Sequence, residues 1–297
     1  MWKGYLDLQE KRENLKALDK PPVCLTIAGH DPSGGAGIVA DIKTFTAFGC
    51  FATAAVASLT FQNTTGVFGA ANQTAEIIRQ QVEPVLEDFS VSAIKTGMLP
   101  TGEIIEEVAR LVRAYHLENF VVDPVVRSTS GFDLIDDAAL KILIEKLFPL
   151  AVVVTPNLPE AERIAQMRIE NADDVEKAAR VMQYFGARNV LIKGGHLFEG
   201  ERQKAKSKSE NRLRTARDFL FVGDDLQIFE TAFIETDATH GTGCTLAAAI
   251  AANLALGRNL IEAVETAKRF VTEAIRTAPN LGRGHSPVNH SVPGFEI

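Results

Sequence analysis

Val23-Cys24-Leu25-Thr26-Ile27-Ala28-Gly29-His30-Asp31-Pro32-Ser33-Gly34-Gly35-Ala36-Gly37 decides how the chain folds. The almost unbroken apolar run Val23–Ala28 reads as a buried strand, and the glycine-rich turn after it runs straight into a helical pattern, Gly37–Phe48. A strand apolar on both faces, followed by a helix, is the repeating unit of a parallel sheet covered on both sides. The same rhythm continues with strands expected at Ala52–Leu59, Val91–Lys95, Phe120–Val122, Val152–Thr155 and Val190–Lys193. Helical patterns lie between them at Ala75–Leu86, Thr101–Tyr115, Asp136–Leu147, Pro159–Ala165 and Ala172–Phe185. Beyond Gly195 a polar stretch, Glu199–Arg217, precedes strand-like runs at Asp218–Val222 and Leu226–Ile234, with a hairpin turn at Gly223-Asp224-Asp225. Two long helices, near Thr242–Leu256 and Leu260–Thr277, follow. The pattern predicts an α/β fold in one domain, 22–297, behind an N-terminal extension, 1–21.

Composition narrows the function. The chain has 297 residues, 46% of them hydrophobic, enough for a large core. No apolar run approaches the roughly 18 residues that a spanning helix needs, and Met1–Lys20 lacks the apolar stretch of a secretory signal. A net charge of −7 argues against nucleic acid or an anionic membrane as partner. The 3 cysteines show no paired spacing and fit a reducing cytosol. Cys24 and Cys50 sit in apolar runs and read as core residues.

The chemistry-bearing residues fall where a doubly wound sheet places its ligands, just after strands at the carboxyl edge. The loop Gly29–Gly37 lets a ligand approach the backbone and exposes N–H groups. It is not a Walker A loop, and Gly35-Ala36-Gly37-Ile38-Val39-Ala40 matches the dinucleotide pattern without the acidic residue expected about 20 positions on. Asp41, just inside the helix, can orient a ligand or serve as a first-turn carboxylate. Phe61-Gln62-Asn63-Thr64-Thr65-Gly66 follows the second strand, and Gln62 offers both a donor and an acceptor, which suits an aminopyrimidine edge or simply an ordinary polar surface loop. In Lys95-Thr96-Gly97-Met98, Met98 can line an apolar slot or fill core space. Asp123, before Pro124-Val125-Val126, can contact magnesium or cap its turn. Asn157 and Glu160 stand three apart at a helix start, as an outer-sphere magnesium pair or as a capping box. Lys193-Gly194-Gly195-His196 puts a lysine where nucleotide phosphates, or solvent, would meet it.

The most specific stretch is Thr239-His240-Gly241-Thr242-Gly243-Cys244, opening into the apolar helix Thr245-Leu246-Ala247-Ala248-Ala249-Ile250. Two glycines around a threonine let backbone N–H groups converge, and the helix dipole points its positive end at the same place. A thiol at a helix N-terminus is ordinarily acidified, so Cys244 reads as a polarised group beside an anion hole. The plainer reading is a glycine-rich turn with a small core cysteine.

These motifs, with Ile27–Ile38, Thr155-Pro156-Asn157-Leu158-Pro159-Glu160-Ala161 and Thr239–Leu246, resemble the hydroxymethylpyrimidine/phosphomethylpyrimidine kinases of thiamine biosynthesis, in the ribokinase-like superfamily. The resemblance runs from Pro22 to His290 with the motifs in the family's order, and Cys244 stands where sugar-kinase relatives carry Asp. It implies a three-layer α/β/α sandwich, ATP with Mg²⁺, and phosphorylation of the hydroxymethylpyrimidine and then of its monophosphate. By position it implies that Gln62 binds the pyrimidine edge, with Gly29, Asp41, Met98 and Val125 lining the acceptor pocket. Cys244 would be the base, Gly241, Thr242 and Gly243 the anion hole, and Lys193 and Thr239 the ATP side. Asn157 and Glu160 match the superfamily's magnesium-linked Asn-x-x-Glu element, and Asp123, from its strand-end position, is the third magnesium candidate. A cytoplasmic homodimer is the family expectation.

The chain departs from the family pattern at His30, at Val39, at Arg127-Ser128-Thr129-Ser130 and at Gly282-Arg283-Gly284-His285-Ser286-Pro287. His30 reads as a loop residue, and Glu199–Arg217 as a solvated insertion. A pyridoxal-type kinase on the same scaffold and a non-catalytic pyrimidine-binding sensor are the alternatives.

Overall fold

A computed structural model of the protein describes residues 20–127, 133–195, 214–292 and 294–295. Ser128, Thr129, Ser130, His196 and most of the Glu199–Arg217 stretch therefore lie outside the described residues, as do 1–19. Among the described residues the strands are β1 (Val23–His30), β2 (Phe51–Asn63), β3 (Gly66–Asn72), β4 (Val91–Thr96) and β5 (Phe120–Val122), then β6 (Val153–Val154), β7 (Asn189–Gly195), β8 (Thr215–Val222) and β9 (Asp225–Ala232). The helices are α1 (Gly37–Ala47), α2 (Ala75–Asp88), α3 (Gly102–Ala114), α4 (Asp137–Leu147), α5 (Leu158–Ala165), α6 (Ala172–Tyr184), α7 (Thr242–Ala255) and α8 (Leu260–Arg276).

One sheet runs in the order β3-β2-β1-β4-β5-β6-β7-β8-β9. Its centre, β2 to β7, is parallel, while β3 at one edge and β8-β9 at the other are antiparallel. The strands alternate between two cores, as a period of two requires. Leu25, Ile27, Ile94, Phe120, Val122, Val190 and Ile192 face a core closed by α2 to α6. Cys24, Ala93, Val121, Val153 and Leu191 face a second core closed by α1, α7 and α8. Burial on both sides explains the continuous apolar runs in the sequence, and the arrangement is the expected three-layer α/β/α sandwich. Cys24 and Cys50 are buried, as expected of core residues.

Helix starts follow their local chemistry. The side chains of Thr74, Thr101, Asp136, Asn171 and Asn259 each accept a hydrogen bond from an amide of the first turn. The Gly223-Asp224 turn joins β8 to β9 as expected.

Three features differ from the sequence reading. β1 reaches His30, which is therefore a strand residue, because β2 continues past Leu59 and supplies Ser58 and Leu59 as partners for Gly29 and His30 across a bulge. β3 was not expected. Its run Gly66-Val67-Phe68-Gly69-Ala70-Ala71-Asn72 is poor in β-branched residues, and pairing with β2 forms it. β8 begins at Thr215, inside the stretch read as a solvated insertion.

Candidate active site

Thirteen of the fourteen residues expected to form the site line one cavity of about 420 Å³ at the carboxyl edge of the parallel strands: Gly29, Gln62, Met98, Asp123, Val125, Asn157, Glu160, Lys193, Thr239, Gly241, Thr242, Gly243 and Cys244. Asp41 is the exception. It is fully buried, and its carboxylate accepts hydrogen bonds from Thr26 Oγ1 at 2.6 Å and from Lys95 Nζ at 2.9 and 3.0 Å. Asp41 thus lies beneath the acceptor pocket, not on its wall, because its turn of α1 packs against β1 and β4. Burial works against the Lys95 charge, yet Asp41 beside it holds the ammonium above its ordinary range. A Cβ at Gly97 would stand 2.9 Å from Lys95 Nζ, so this ion pair sits directly behind the pocket floor.

The helix that carries the anion hole begins at Thr242, with Gly241 as its N-cap at φ +84°. A side chain at Gly241 would place Cβ 1.8 Å from the Gly35 carbonyl oxygen, which accounts for glycine there on both grounds. Thr242 N–H and Oγ1 both turn back to the Thr239 carbonyl, at 3.3 and 3.1 Å. Helix geometry leaves the amides of Gly243 and Cys244 without intrahelical acceptors, and both residues face the cavity. A Cβ at Gly243 would be 3.2 Å from Lys193 Nζ, so the lysine ammonium stands over this cradle. Lys193 donates to Asp123 Oδ1 at 2.9 Å, and Thr155 Oγ1 donates to the same oxygen at 3.1 Å. Amides, helix dipole and an ammonium on one spot make an anion site.

The glycine-rich loop behaves differently from its sequence reading. Its amides are not offered to a ligand. Gly35 and Ala36 N–H donate to Asp31 Oδ2 at 3.1 and 2.8 Å, Ser33 N–H and Oγ donate to Oδ1, and Gly34 N–H donates to the Asp31 carbonyl. Against its burial, hydrogen bonds from His240 and from Ser33 hold the Asp31 carboxyl down at about 2. The Gly37 amide points instead at the Cys244 sulfur. Asp31 carries no catalytic signature in the sequence, and only its place before Pro-Ser-Gly-Gly hints at a carboxylate gathering turn amides.

Cys244 also corrects an expectation. Burial pushes its thiol up to about 11, while Lys95 and the Gly37 amide pull it down less strongly, so it is not acidified in the unliganded protein. Asn157 and Glu160 form the capping box of α5. Asn157 Oδ1 accepts from Glu160 N–H, and Glu160 Oε2 accepts from Asn157 N–H, each at 2.8 Å. Burial raises the Glu160 carboxyl to about 7 against the pull of Lys193.

No cluster of three His, Cys, Asp or Glu side chains able to hold a metal occurs among the described residues. Asp123 presents a carboxylate oxygen beside the cradle, Oδ2, 3.9 Å from where a Gly243 Cβ would stand. That donor set fits a magnesium ion that arrives on phosphates and keeps its waters, and it does not fit a resident all-protein cage.

Gln62 lies within β2, not after it, on the antiparallel hairpin that overhangs the cavity. The hairpin tip is latched to a later segment of the chain. Thr64 accepts from the amides of Arg283, Gly284 and His285 at 3.2, 3.3 and 2.9 Å, and side chains at Gly282 or Gly284 would strike it. The opposite end of the cavity lies between β8, β9 and α8. There Ala216, Thr231, Val271 and Ile275 surround the buried pair Asp218–Lys268, whose Nζ–Oδ2 distance is 2.7 Å. Sequence patterning gave no sign of this pair, which joins a strand and a helix far apart in the chain.

The model of the phosphomethylpyrimidine kinase family matches residues 31–289. The chain is 45% identical over 273 residues to a thiamine biosynthesis bifunctional protein of Geobacter sulfurreducens, covering 92% of this chain and about half (53%) of that longer relative. It is 43% identical to a hydroxymethylpyrimidine/phosphomethylpyrimidine kinase of Bacillus subtilis, covering 90% of this chain and 93% of the relative. Among solved structures, an ADP complex of Bacillus subtilis pyridoxal kinase superposes with a TM-score of 0.79 at 36% identity, covering 92% and 98% of the two chains. With an anion cradle, a facing lysine and a cysteine gathered at one sheet edge, the chain belongs to the phosphomethylpyrimidine kinase family and is a phosphotransferase.

Proposed function

We propose that the protein transfers the γ-phosphoryl group of ATP to the hydroxymethyl oxygen of 4-amino-5-hydroxymethyl-2-methylpyrimidine, and then phosphorylates the resulting monophosphate. The observation that carries this is the meeting of two half-sites in one cavity. Gln62, Gly29, Met98 and Val125 stand at one end, and the Gly241–Cys244 amides with Lys193 at the other. Gln62 pairs with the aminopyrimidine edge through its donor and acceptor, and Met98 flanks the ring. The nucleoside occupies the β8-β9-α8 end. Magnesium supplies charge neutralisation on the phosphates when bound, with Asp123 as its carboxylate and Asn157 and Glu160 shaping the outer shell.

Phosphoryl transfer asks for positioning and charge neutralisation more than for a strong base. The Gly243 and Cys244 amides and Lys193 hold the travelling phosphoryl group beside Cys244. The sulfur of Cys244 orients the acceptor hydroxyl; its thiolate form, a minority for a group near 11, accepts that hydroxyl's proton late in the transfer and becomes the thiol. A phosphate acceptor is already ionised near neutral pH and needs no such help. Residues 22–297 act as one catalytic domain, cytoplasmic and homodimeric. The exposed Leu59, Phe61 and Phe68 on the β2-β3 hairpin support self-association there.

Pyridoxal kinase activity is the second reading, favoured by the close superposition on a pyridoxal kinase. Measuring ATP consumption with the pyrimidine alcohol, its monophosphate and pyridoxal decides between them, and higher kcat/KM with pyridoxal overturns the first reading. Gln62→Leu is expected to raise the pyrimidine KM about tenfold or more, as loss of a buried hydrogen-bonded pair does, with ATP KM unchanged. An effect on ATP alone refutes the assignment. Cys244→Ala is expected to cost at least about 10²-fold in kcat with the alcohol and much less with the monophosphate. Equal losses would leave Cys244 only a shaping role.

A further inference from the structure

The acceptor-side loop, Gly29–Gly37, and the cradle, Thr239–Cys244, lie more than 200 residues apart in sequence, yet they are locked together. His240 Nε2–H donates to Asp31 Oδ2 at 2.8 Å, and both side chains are nearly inaccessible, at 11% and 1%. Asp31 accepts from four donors of its own loop, so His240 is the fifth donor, and the one that crosses to the other half of the site. The backbones also interlock. A side chain at Gly241 would strike the Gly35 carbonyl, and a Cβ at Gly35 would lie 2.4 Å from His240 Cδ2 and 2.9 Å from Pro287 Cβ. The His240 backbone is anchored as well: its N–H donates to the Ser286 carbonyl at 3.2 Å, and Val288 N–H donates to the His240 carbonyl at 3.4 Å.

We propose that Asp31 and His240 are positioning residues that set the distance between the acceptor hydroxyl and the phosphoryl group; His240 edges the cavity and Asp31 lies behind it. The loop that Asp31 gathers carries Gly29 at the acceptor pocket and the Gly37 amide on the Cys244 sulfur. The loop that His240 belongs to carries the amides that hold the phosphoryl group. The hydrogen bond between them is therefore a spacer between the two reacting partners, and a shift of about 1 Å between such partners costs on the order of 10²-fold in rate. The inference rests on the kinase reading given above, but not on which alcohol is the acceptor.

The test compares His240→Ala, His240→Asn, His240→Gln, Asp31→Asn and the double variant Asp31→Asn/His240→Ala with the unaltered protein, using whichever alcohol the unaltered protein turns over. Melting temperature is measured for each. Expected is a fall in kcat of about 30- to 100-fold in His240→Ala and His240→Asn, with the KM of ATP and of acceptor within about threefold. His240→Gln, whose side-chain N–H reaches the place of Nε2, regains at least tenfold. The double variant is no worse than the poorer single one, because both changes remove the same spacer. Amide hydrogen exchange over Gly34–Ala36 accelerates in His240→Ala and recovers in His240→Gln. An unchanged kcat, a loss shared equally by His240→Gln, additive losses, or a loss confined to KM overturns the proposal. If neither the pyrimidine nor pyridoxal is turned over, the kinase reading fails first. The exchange comparison then decides the contact separately, and unaltered exchange in His240→Ala sinks it.

Discussion

At the scale of single residues, the instructive case is Cys244. Its motif marks it as special in the sequence, and the helix N-terminus beneath it predicts an acidic thiol. Burial reverses that, placing the thiol at about 11. The thiolate is the reactive form, so at pH 8 alkylation of Cys244 by iodoacetamide is expected to run about 100-fold slower than that of a simple thiol near 9. Mass spectrometry of the labelled peptide reads the rate, and labelling as fast as that of free cysteine would show the thiol to be acidic after all. Asp41 and Asp31 teach the same lesson. The sequence shows that each is a carboxylate at a helix or turn, but only tertiary packing decides that one pairs with Lys95 and the other gathers the glycine loop. Depth of burial is a property of neighbours distant in the chain, and no local pattern encodes it.

At the scale of elements, the long periodic segments were legible. α3 and α8 combine strong amphipathic spacing with side-chain caps, and their bounds differ from the sequence reading by a residue at each end or less. The apolar strands β1, β4 and β5 declare themselves because both faces are buried. β3 does not, since its residues Gly66, Gly69, Ala70 and Ala71 carry little strand preference and the partner strand imposes the conformation. Gln62 therefore reads as a loop residue in the sequence although it belongs to β2. The start of α7 yields a pH prediction. Thr245 Oγ1 donates to the Gly241 carbonyl and accepts from His290 Nε2, at 2.8 and 3.1 Å. Burial lowers the His290 imidazole from 6.5 to about 4, with Lys43 and His240 adding to the effect. The folded state thus binds fewer protons than the unfolded chain between these values, so this group's contribution is present above pH 6.5 and lost as pH falls towards 4. Between pH 7 and pH 5 the loss amounts to about 2 kcal/mol. Urea unfolding at both pH values is expected to show that much less acid sensitivity in His290→Gln. An unchanged difference would mean that His290 is not the group responsible.

At the scale of the whole molecule, the proposed function has one sheet serving two ligands by dividing its carboxyl edge. On that reading β1, β2 and β4 with the hairpin address a small ring, and the antiparallel β8-β9 end addresses a larger partner. Sequence patterning gave the layers and the shared edge, because the positions of strand ends follow from the strand–helix alternation. It could not give the interlock of Asp31 with His240, or the Asp218–Lys268 pair, since each joins segments that no local signal relates. The same edge also bears on assembly. Phe61 and Phe68 remain 55% and 70% exposed on the unpaired hairpin, and such apolar surface on an edge strand invites a partner. Sedimentation velocity is expected to show a dimer that Phe68→Glu converts to a monomer. A monomer in the unaltered protein would remove self-association from the functional account.

The seam between Thr64 and the Arg283–His285 amides gives the molecule an indirect control over what it accepts. Gln62, which on the proposed function reads the ring, hangs from a hairpin whose hook is fastened to a segment far along the chain, and that segment passes next to His240. If that function holds, changes in the hook would move both ring recognition and the reacting geometry, and a change of acceptor could begin away from the residues that touch it.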